Sequence, residues 1–596
     1  MRKILFFAAP SIAIAQVLQA PYATPTFASL SSGAWPNDSE WASLNRSVGG
    51  HLQALRPWAA VCYTSDPLYN AEECQLVLSG YDNDTQRDAV PAALLWSNWE
   101  SCGYGQGCAL NYFNPQPISN ATCYQGSTPP YSISILDARD ASIVVKWATA
   151  HNIKLTVKNT GHDYLGRSAA PSTLQVNTHL MDNLSYVPEF VPQGSYASPV
   201  TALTMGAGAQ IYKIYNYAAE QNFTPAIGTC ATVGAAGGYL QGGGHSLLSP
   251  LYGLAVDNAL EFEVVTADGR IMVANEAQNS DLFWALQGGG AGSWGIVTSA
   301  TIRVYPPVAI GVAELSVVPS ASQNVTTLGI EFISLLAKYQ NGWMNKGIAT
   351  SFVLFQDKYS LAFLWPTSSA DLCDLYPFFE ELEGRSSNYT VMSNVTLTFP
   401  SISAAVLQGI GPLFEQLDLY GSSNQLASRL IPKSSIDPSN PSSITAVAEG
   451  IWNGLQIVDL LGNAPVIIFG HLPGATSQSV NNTGANPGLY AAAWHVVYAA
   501  AWTLGVNATT NAEVMTAVHN AVAPLTTLGI KSSYQNEGDP FEADWQKVFF
   551  GYKYAKLLSI KQKYDSKNFF TSWKGVASVT DLPAYQCLTN QQNELL

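Results

Sequence analysis

The sequence predicts an α+β fold built as two domains. Three observations carry this. The chain has 596 residues, 47% apolar and 12% charged, enough for a large buried core and more than one domain. From about Tyr131 to Val304, short strands and helices alternate with glycine-rich turns. After Pro306-Pro307 the texture changes to alternating apolar strands mixed with helices, as expected of a second α+β domain.

The elements follow in order. Residues 21–125 read as an irregular, cysteine-bearing lead-in. Asp137 caps a helix whose apolar face carries Val144, Trp147 and Ala148. A strand over Lys154–Lys158 runs into a tight loop from Asn159 to Gly166. Leu203–Met205 is strand-like and Ile211–Gln221 helical. A glycine-dense segment spans Gly228–Gly244. Leu260–Thr266 and Arg270–Val273 form a hairpin over Asp268-Gly269. Asp281–Leu286 is a short helix and Ile296–Val304 a strand. Further on, Ser351–Phe355 and Leu361–Trp365 are strands, and Ser401–Ile410 and Asn507–Val522 are helices. Trp545–Tyr564 reads as one amphipathic helix with Leu557, Leu558 and Ile560 inward.

Bulk features narrow the function. Arg2 and Lys3 precede an apolar run to Ala15, and small residues up to Ala20 offer cleavage sites, so residues 1–20 read as a secretory signal peptide. Eleven N-x-Ser/Thr sequons fit a secreted, glycosylated chain. They begin at Asn37, Asn45, Asn83, Asn120, Asn183, Asn222, Asn324, Asn388, Asn394, Asn481 and Asn507. The formal charge of −15 argues against nucleic acid as a partner. No later stretch reaches the roughly 20 apolar residues of a membrane-spanning helix, so no membrane is expected.

Eight cysteines in an oxidising compartment read mainly as staples. Cys62 pairs with Cys74, and Cys123 with either Cys102 or Cys108. Cys373 and Cys587 are unassigned, and Cys230 stands apart. No metal is expected, because neither zinc-finger spacing nor H-E-x-x-H occurs. No G-x-S-x-G nucleophile elbow is present.

Three glycine-rich constellations remain. In Thr160-Gly161-His162-Asp163-Tyr164-Leu165-Gly166-Arg167-Ser168, the glycines let backbone approach a ligand and the histidine is placed to meet it. Gly228 to Gly244 holds seven glycines in seventeen residues. That density is entropically costly and implies close backbone approach. Cys230 there is either a reactive thiol or a small packed residue. Residues 290–295 match G-x-G-x-x-G. A helix precedes and a strand follows, the reverse of a dinucleotide fingerprint, so a Rossmann site is rejected.

Together these residues resemble the berberine bridge enzyme-like branch of the vanillyl-alcohol oxidase flavoproteins, with its PCMH-type FAD-binding domain. The likeness rests on Gly161-His162 with Gly166, Cys230-x-Thr232-Val233-Gly234, Gly242–Gly244, and Tyr252-Gly253-Leu254-Ala255-x-Asp257-Asn258. It continues in Ala267-Asp268-Gly269, Asp281-Leu282-Phe283-Trp284-Ala285, Gly295-Ile296-Val297-Thr298, Tyr534-x-Asn536-Glu537, Trp545 to Gly551, and Lys563-Tyr564-Asp565. It covers about 130–307 and 531–575.

The resemblance implies an FAD bonded through its 8α-methyl to His162 and through C6 to Cys230. The Cys230 segment carries one residue more before the triple glycine than the family pattern. Cofactor contacts fall on Asn159, Thr160, Gly161, Asp163, Gly166 and Ser168, and on Thr232, Val233, Gly234, Gly238, Gly242, Gly243, Gly244 and His245. Gly295, Ile296, Val297 and Asn536 complete them. His245 is expected to be structural. Either Glu537 or Tyr534, on a strand passing the flavin with Asn536, would be the base, and Tyr164 would line the substrate pocket.

The implied layout has a cysteine-containing part at 21–129, an FAD domain at 130–307, a substrate domain at 308–530 whose sheet roofs the flavin, and a returning segment at 531–596. The expected activity is oxidation of an alcohol, sugar or secondary-metabolite substrate by hydride transfer, with dioxygen as acceptor. A dehydrogenase with another acceptor and a non-catalytic binding glycoprotein are the alternatives. The sequence sets no oligomeric state.

Overall fold

The computed structural model describes residues 24–595, apart from 113, 118–120, 411–418, 460–461, 463, 475–479 and 504–507. The signal-peptide reading and the sequons at Asn120 and Asn507 therefore lie outside the described residues.

Three sheets organise the chain. The first orders Leu52–Ala54, Tyr131–Ser134, Thr173–Asn177 and Lys154–Lys158, with the last three parallel. The helix Ala138–Ala150 provides the crossover. Asp137 accepts from the backbone N–H groups of Arg139 and Asp140, and Val144, Val145 and Ala148 are fully buried. Each such valine contributes about 1.5–3 kcal/mol by leaving water. The second sheet is antiparallel and orders Leu184–Phe190, Val200–Gly206, Ile296–Tyr305, Ala259–Val265 and Ile271–Asn275. Thr224–Pro225 pairs beside the central strand.

The third sheet belongs to residues 310–502. It has seven antiparallel strands: Tyr389–Phe399, Ile310–Pro319, Tyr359–Pro366, Ala349–Leu354, Val466–Phe469, Ala492–Trp502 and Ser423–Pro432. Helices Val325–Asn345, Pro441–Asp459 and Ala508–Ala521 cover one face. Alternation along a strand sends neighbours to opposite faces. Tyr498 thus bonds the Ile451 carbonyl in a covering helix, while Val497 and Ala499 face a cavity.

Three expectations are corrected, and the open cysteine pairings are resolved. The lead-in is not irregular. Asn37, Asn70 and Asn83 cap helices Asp38–Ser47, Ala71–Gly80 and Asp84–Ala89, through side-chain oxygens that satisfy first-turn N–H groups. Trp545–Tyr564 is two helices, because Gly551 at φ +57° breaks the run after Phe550. Leu557 and Ile560 point inward as expected, joined by the buried Lys561. Tyr534–Glu537 is a turn, closed by the Glu537 N–H on the Tyr534 carbonyl. The disulfides are Cys62–Cys74, Cys108–Cys123 and Cys102–Cys587, so Cys123 pairs with Cys108 and the unassigned Cys587 staples the C-terminal helix to the lead-in. Among the described residues no helix is long and apolar enough to cross a membrane.

The C-terminal segment is locked to the first two sheets through buried lysines. Lys561 Nζ donates to the carbonyls of Ser293 and Phe570, and Lys154 Nζ to that of Thr571.

Candidate active site

A cavity of about 340 Å³ lies where the first two sheets, the third sheet and the C-terminal segment meet. One wall is the loop after strand Lys154–Lys158. Gly161 sits at φ +91°, and a Cβ there would approach Lys158 Cε to 3.0 Å. Asp163 accepts from the N–H groups of Leu165 and Ser168 and so pins the loop. Tyr164 stacks on Trp96 at 4.0 Å, behind His162.

His162 is oriented by a relay. Its Nε2 lies 2.8 Å from Thr232 Oγ1, which donates to Asp84 Oδ2 at 2.9 Å. A threonine hydroxyl has one proton, and the carboxylate takes it. Thr232 must therefore accept from His162 Nε2–H, which leaves Nδ1 as the bare lone pair. Burial pushes the His162 imidazole down to about 4, with Asp84 opposing, so the ring is neutral near pH 7. Tyr420 stands edge-on to His162 at 5.7 Å, and its hydroxyl lies 3.4 Å from Cys230 Sγ. Both candidate flavin-linking residues thus share one cavity and one neighbour.

The glycines divide by role. Gly238 lines the cavity with nothing within 4 Å of an added Cβ, which is open backbone for a ligand. Gly234 and Gly237 make room for Asn159, whose amide would sit 2.3 and 2.7 Å from an added Cβ, and Gly242 makes room for Asn536 at 2.2 Å. Much of the glycine density therefore serves side chains of the protein itself. Gly166 packs against Trp99 and Leu588, away from the cavity.

At the other end stands a polar cluster. Tyr534 Oη accepts from the Gly244 N–H at 3.0 Å and from Asn536 Nδ2 at 2.7 Å. Burial raises Tyr534 beyond its ordinary value, so it remains a phenol. Glu537 Oε1 lies 3.1 Å from His245 Nε2, and His245 Nδ1 lies 2.8 Å from His471 Nε2. Burial works to raise the Glu537 carboxyl, but His245 and His495 outweigh it and hold it below its ordinary value. His245 is therefore part of the site rather than only a structural residue. His495 lies on strand Ala492–Trp502 of the third sheet, and His471 stands two residues past strand Val466–Phe469. Ile467, Phe469 and His471 succeed one another at period two, as do His495, Val497 and Ala499, and Phe469 pairs with His495 across the strands.

Of the expected residues, the cavity wall carries Asn159, Thr160, Gly161, His162, Asp163, Tyr164, Ser168, Cys230, Val233, Gly234, Gly238, His245, Gly295, Val297, Tyr534, Asn536 and Glu537. Gly166, Thr232, Gly242, Gly243, Gly244 and Ile296 lie outside the wall. Sequence reasoning missed Asp84, Tyr420, His471 and His495. Asp84 sits in the misread lead-in, and the others in the domain where the resemblance is weak. Asn159 Oδ1 and Gln241 Oε1, on residues lining the cavity, are buried without a partner and can accept from a bound group. A cavity with open glycine backbone, orphaned acceptors and an imidazole–thiol pair fits a flavin dinucleotide.

Fold and site define an FAD-dependent oxidoreductase acting on a small molecule. The FAD binding domain family matches residues 133–275, and the berberine and berberine-like family matches residues 533–577. The chain is 32% identical to an uncharacterized FAD-linked oxidoreductase of Arthroderma benhamiae, over 91% of this chain and 92% of that protein. It is 31% identical to the VAO-type flavoprotein oxidase VAO615 of Thermothelomyces thermophilus, over 91% and 92%. The crystal structure of MtVAO615 from Myceliophthora thermophila C1 superposes with a TM-score of 0.80 at 28% identity, covering 94% of this chain and 99% of that one. Glucooligosaccharide oxidase from Acremonium strictum shares the fold at a TM-score of 0.58 and 17% identity, covering 75% of this chain and 91% of that one. Its cofactor is described as a 6-S-cysteinyl, 8α-N1-histidyl FAD. The chain belongs to the vanillyl-alcohol oxidase and berberine bridge enzyme-like family of FAD-linked oxidoreductases.

Proposed function

We propose that this protein is a secreted oxidase that carries FAD bonded to both His162 and Cys230, oxidises a hydroxyl-bearing small molecule and passes the electrons to dioxygen. The observation that carries the reading is the relay from Asp84 through Thr232 to His162. It leaves Nδ1 as the nucleophilic nitrogen, beside a thiol in the same cavity. The doubly bonded flavin of glucooligosaccharide oxidase and the oxidase name of VAO615 support it. Three disulfides and the sequons support an oxidising, extracellular destination.

In this reading residues 21–307 and 531–596 hold the cofactor and 308–530 supply the roof. The bound flavin supplies the two-electron acceptor. The protein supplies position and proton handling. Glu537, held ionised next to His245, receives the substrate hydroxyl proton. Tyr534, kept a phenol by burial and positioned by the Gly244 and Asn536 donors, donates to the substrate oxygen. Tyr164 and Phe469 exclude water from the walls. Alcohols, sugars and secondary metabolites fit a polar end of this kind.

The test is a substrate screen read by peroxide release, with and without a dye acceptor. Denatured protein should retain flavin fluorescence, and intact mass after deglycosylation should exceed the polypeptide by one FAD. Turnover with dye and none with dioxygen would make the protein a dehydrogenase, and a colourless purified chain would remove the enzyme altogether.

A further inference from the structure

Three residues of the cavity's polar end do not close into a hydrogen-bonded network. One ligand atom from each of His245, His495 and Glu537 lies within 4.8 Å of the others. His245 Nε2 is 3.1 Å from one carboxylate oxygen of Glu537, and His495 Nδ1 is 3.3 Å from the other. His495 is fully buried, and neither of its ring nitrogens has a hydrogen-bond partner. The contact with Glu537 has the distance of an ion pair without the alignment of a hydrogen bond. A buried imidazole normally pairs at least one nitrogen, because a lone buried polar atom costs about 1–3 kcal/mol.

We propose that His245, His495 and Glu537 form a binding site for a divalent transition-metal ion, with an open position facing the substrate cavity. Two imidazoles and one carboxylate are a donor set used by catalytic zinc sites, with a fourth position left for water or substrate. Ligands about 2.0–2.2 Å from an ion at a tetrahedral angle stand about 3.3 Å apart; the two imidazole–carboxylate contacts have that separation, and the full set, spread over 4.8 Å, would draw inward on an ion. Ligating histidines donate their second nitrogen outward, which fixes the tautomer. His245 has that partner in His471 Nε2 at 2.8 Å, and ion binding releases the proton that Nε2 now shares with Glu537 and turns the Nε2 lone pair to the ion. His245 and Glu537 line the cavity and His495 lies behind them, so the remaining position opens on the substrate side. Its ligand is a substrate hydroxyl oxygen, whose acidity the ion raises. That last role rests on the oxidase reading above; ion binding does not. Motif spacing could not reveal the site, because its ligands come from the glycine-rich segment, the third sheet and the C-terminal turn.

The full-length flavin-loaded protein, stripped with a chelator and dialysed against ZnCl₂, is expected to retain about one zinc per chain and to unfold at a higher temperature than the stripped form. Cobalt in place of zinc should give the visible d–d bands of a tetrahedral site. Glu537→Gln and His495→Gln should each weaken zinc binding at least about 10-fold. Glu537→Gln, on the cavity wall, remains informative if the buried His495→Gln variant fails to fold. No retained zinc and no thermal shift in the wild type would mean that a shared proton alone bridges His245 and Glu537, and would overturn the proposal. So would zinc binding that Glu537→Gln leaves unchanged. A yellow, dioxygen-consuming protein that binds no zinc removes this site and leaves the oxidase reading intact. A colourless chain that binds zinc does the reverse.

Discussion

The Nε2 of His162 sits 2.8 Å from the Oγ1 of Thr232, and this contact decides which nitrogen of the imidazole is free to react. Thr232→Val keeps the shape of a side chain that is 1% exposed and removes the relay. The imidazole then has no reason to keep its proton on Nε2. Covalent flavin in the denatured protein is expected to fall about 10-fold at early times, equivalent to about 1.4 kcal/mol in the competent tautomer. Total bound flavin before denaturation should change little. Asp84→Asn, which can still accept from Thr232, should show a smaller loss. Gel fluorescence against time after adding FAD to apoprotein measures both.

Glu537 and Tyr534 divide the polar end by protonation state. Glu537 is held ionised and Tyr534 is held as a phenol. Glu537→Gln should therefore lower kcat by about 10²–10⁴ while FAD content stays at the wild-type level. Tyr534→Phe should cost less, on the order of the 1–3 kcal/mol set by an unpaired donor, because the Gly244 N–H and Asn536 lose their shared acceptor. Steady-state kinetics with the substrate found by screening, normalised to flavin absorbance, separates the two.

How far the sequence could be read follows from where each signal lives. Short-range signals were legible. Asp137 capping its helix, the strand before Asn159, and the Asp268-Gly269 hairpin all depend on neighbours within a few residues. The His162 and Cys230 loops were legible through motif resemblance. Three things were not. Trp545–Tyr564 has a continuous apolar stripe, and the single Gly551 at φ +57° overrides it. Glycine density between Gly228 and Gly244 suggested ligand contact, yet Gly234, Gly237 and Gly242 make space for Asn159 and Asn536, a tertiary fact. His471 and His495 are two of eight histidines, and only the strand register that sets Phe469 beside His495 brings His471 to the cavity wall and His495 behind it.

The Cys102–Cys587 disulfide joins residues 485 apart and holds helix Gln586–Leu595 against the lead-in. Leu588 of that helix and Trp99 of the lead-in pack on Gly166, at the end of the His162 loop. Asn590 and Gln591 bond the carbonyls of Cys102 and Asn98. Cys102→Ser with Cys587→Ser should therefore cost about 2–5 kcal/mol and expose the C-terminal helix to proteolysis before the rest unfolds. Thermal denaturation and limited proteolysis followed by mass spectrometry check both outcomes. Equal protease resistance in variant and wild type would show that packing alone holds the helix.

Asp257 gives stability a defined pH dependence. Its Oδ1 accepts from Tyr490 Oη at 2.6 Å, a bond that ties the FAD binding domain to the segment leading into the third sheet's strand Ala492–Trp502, and its Oδ2 accepts from the Leu254 N–H at 2.7 Å. Burial nevertheless dominates and raises the carboxyl from 3.8 to about 6, with Tyr490 opposing. The folded state thus holds the proton more tightly than the unfolded chain. A raised value means that the contribution is fully present below about pH 4 and is lost as pH rises through about 6. Over that window wild type should lose on the order of 2–3 kcal/mol from this group. Asp257→Asn, which cannot titrate, should lack that part of the slope. Melting temperatures of both proteins from pH 3.5 to about pH 7 are the measurement, and parallel curves would show that Asp257 titrates at its ordinary value in the folded protein.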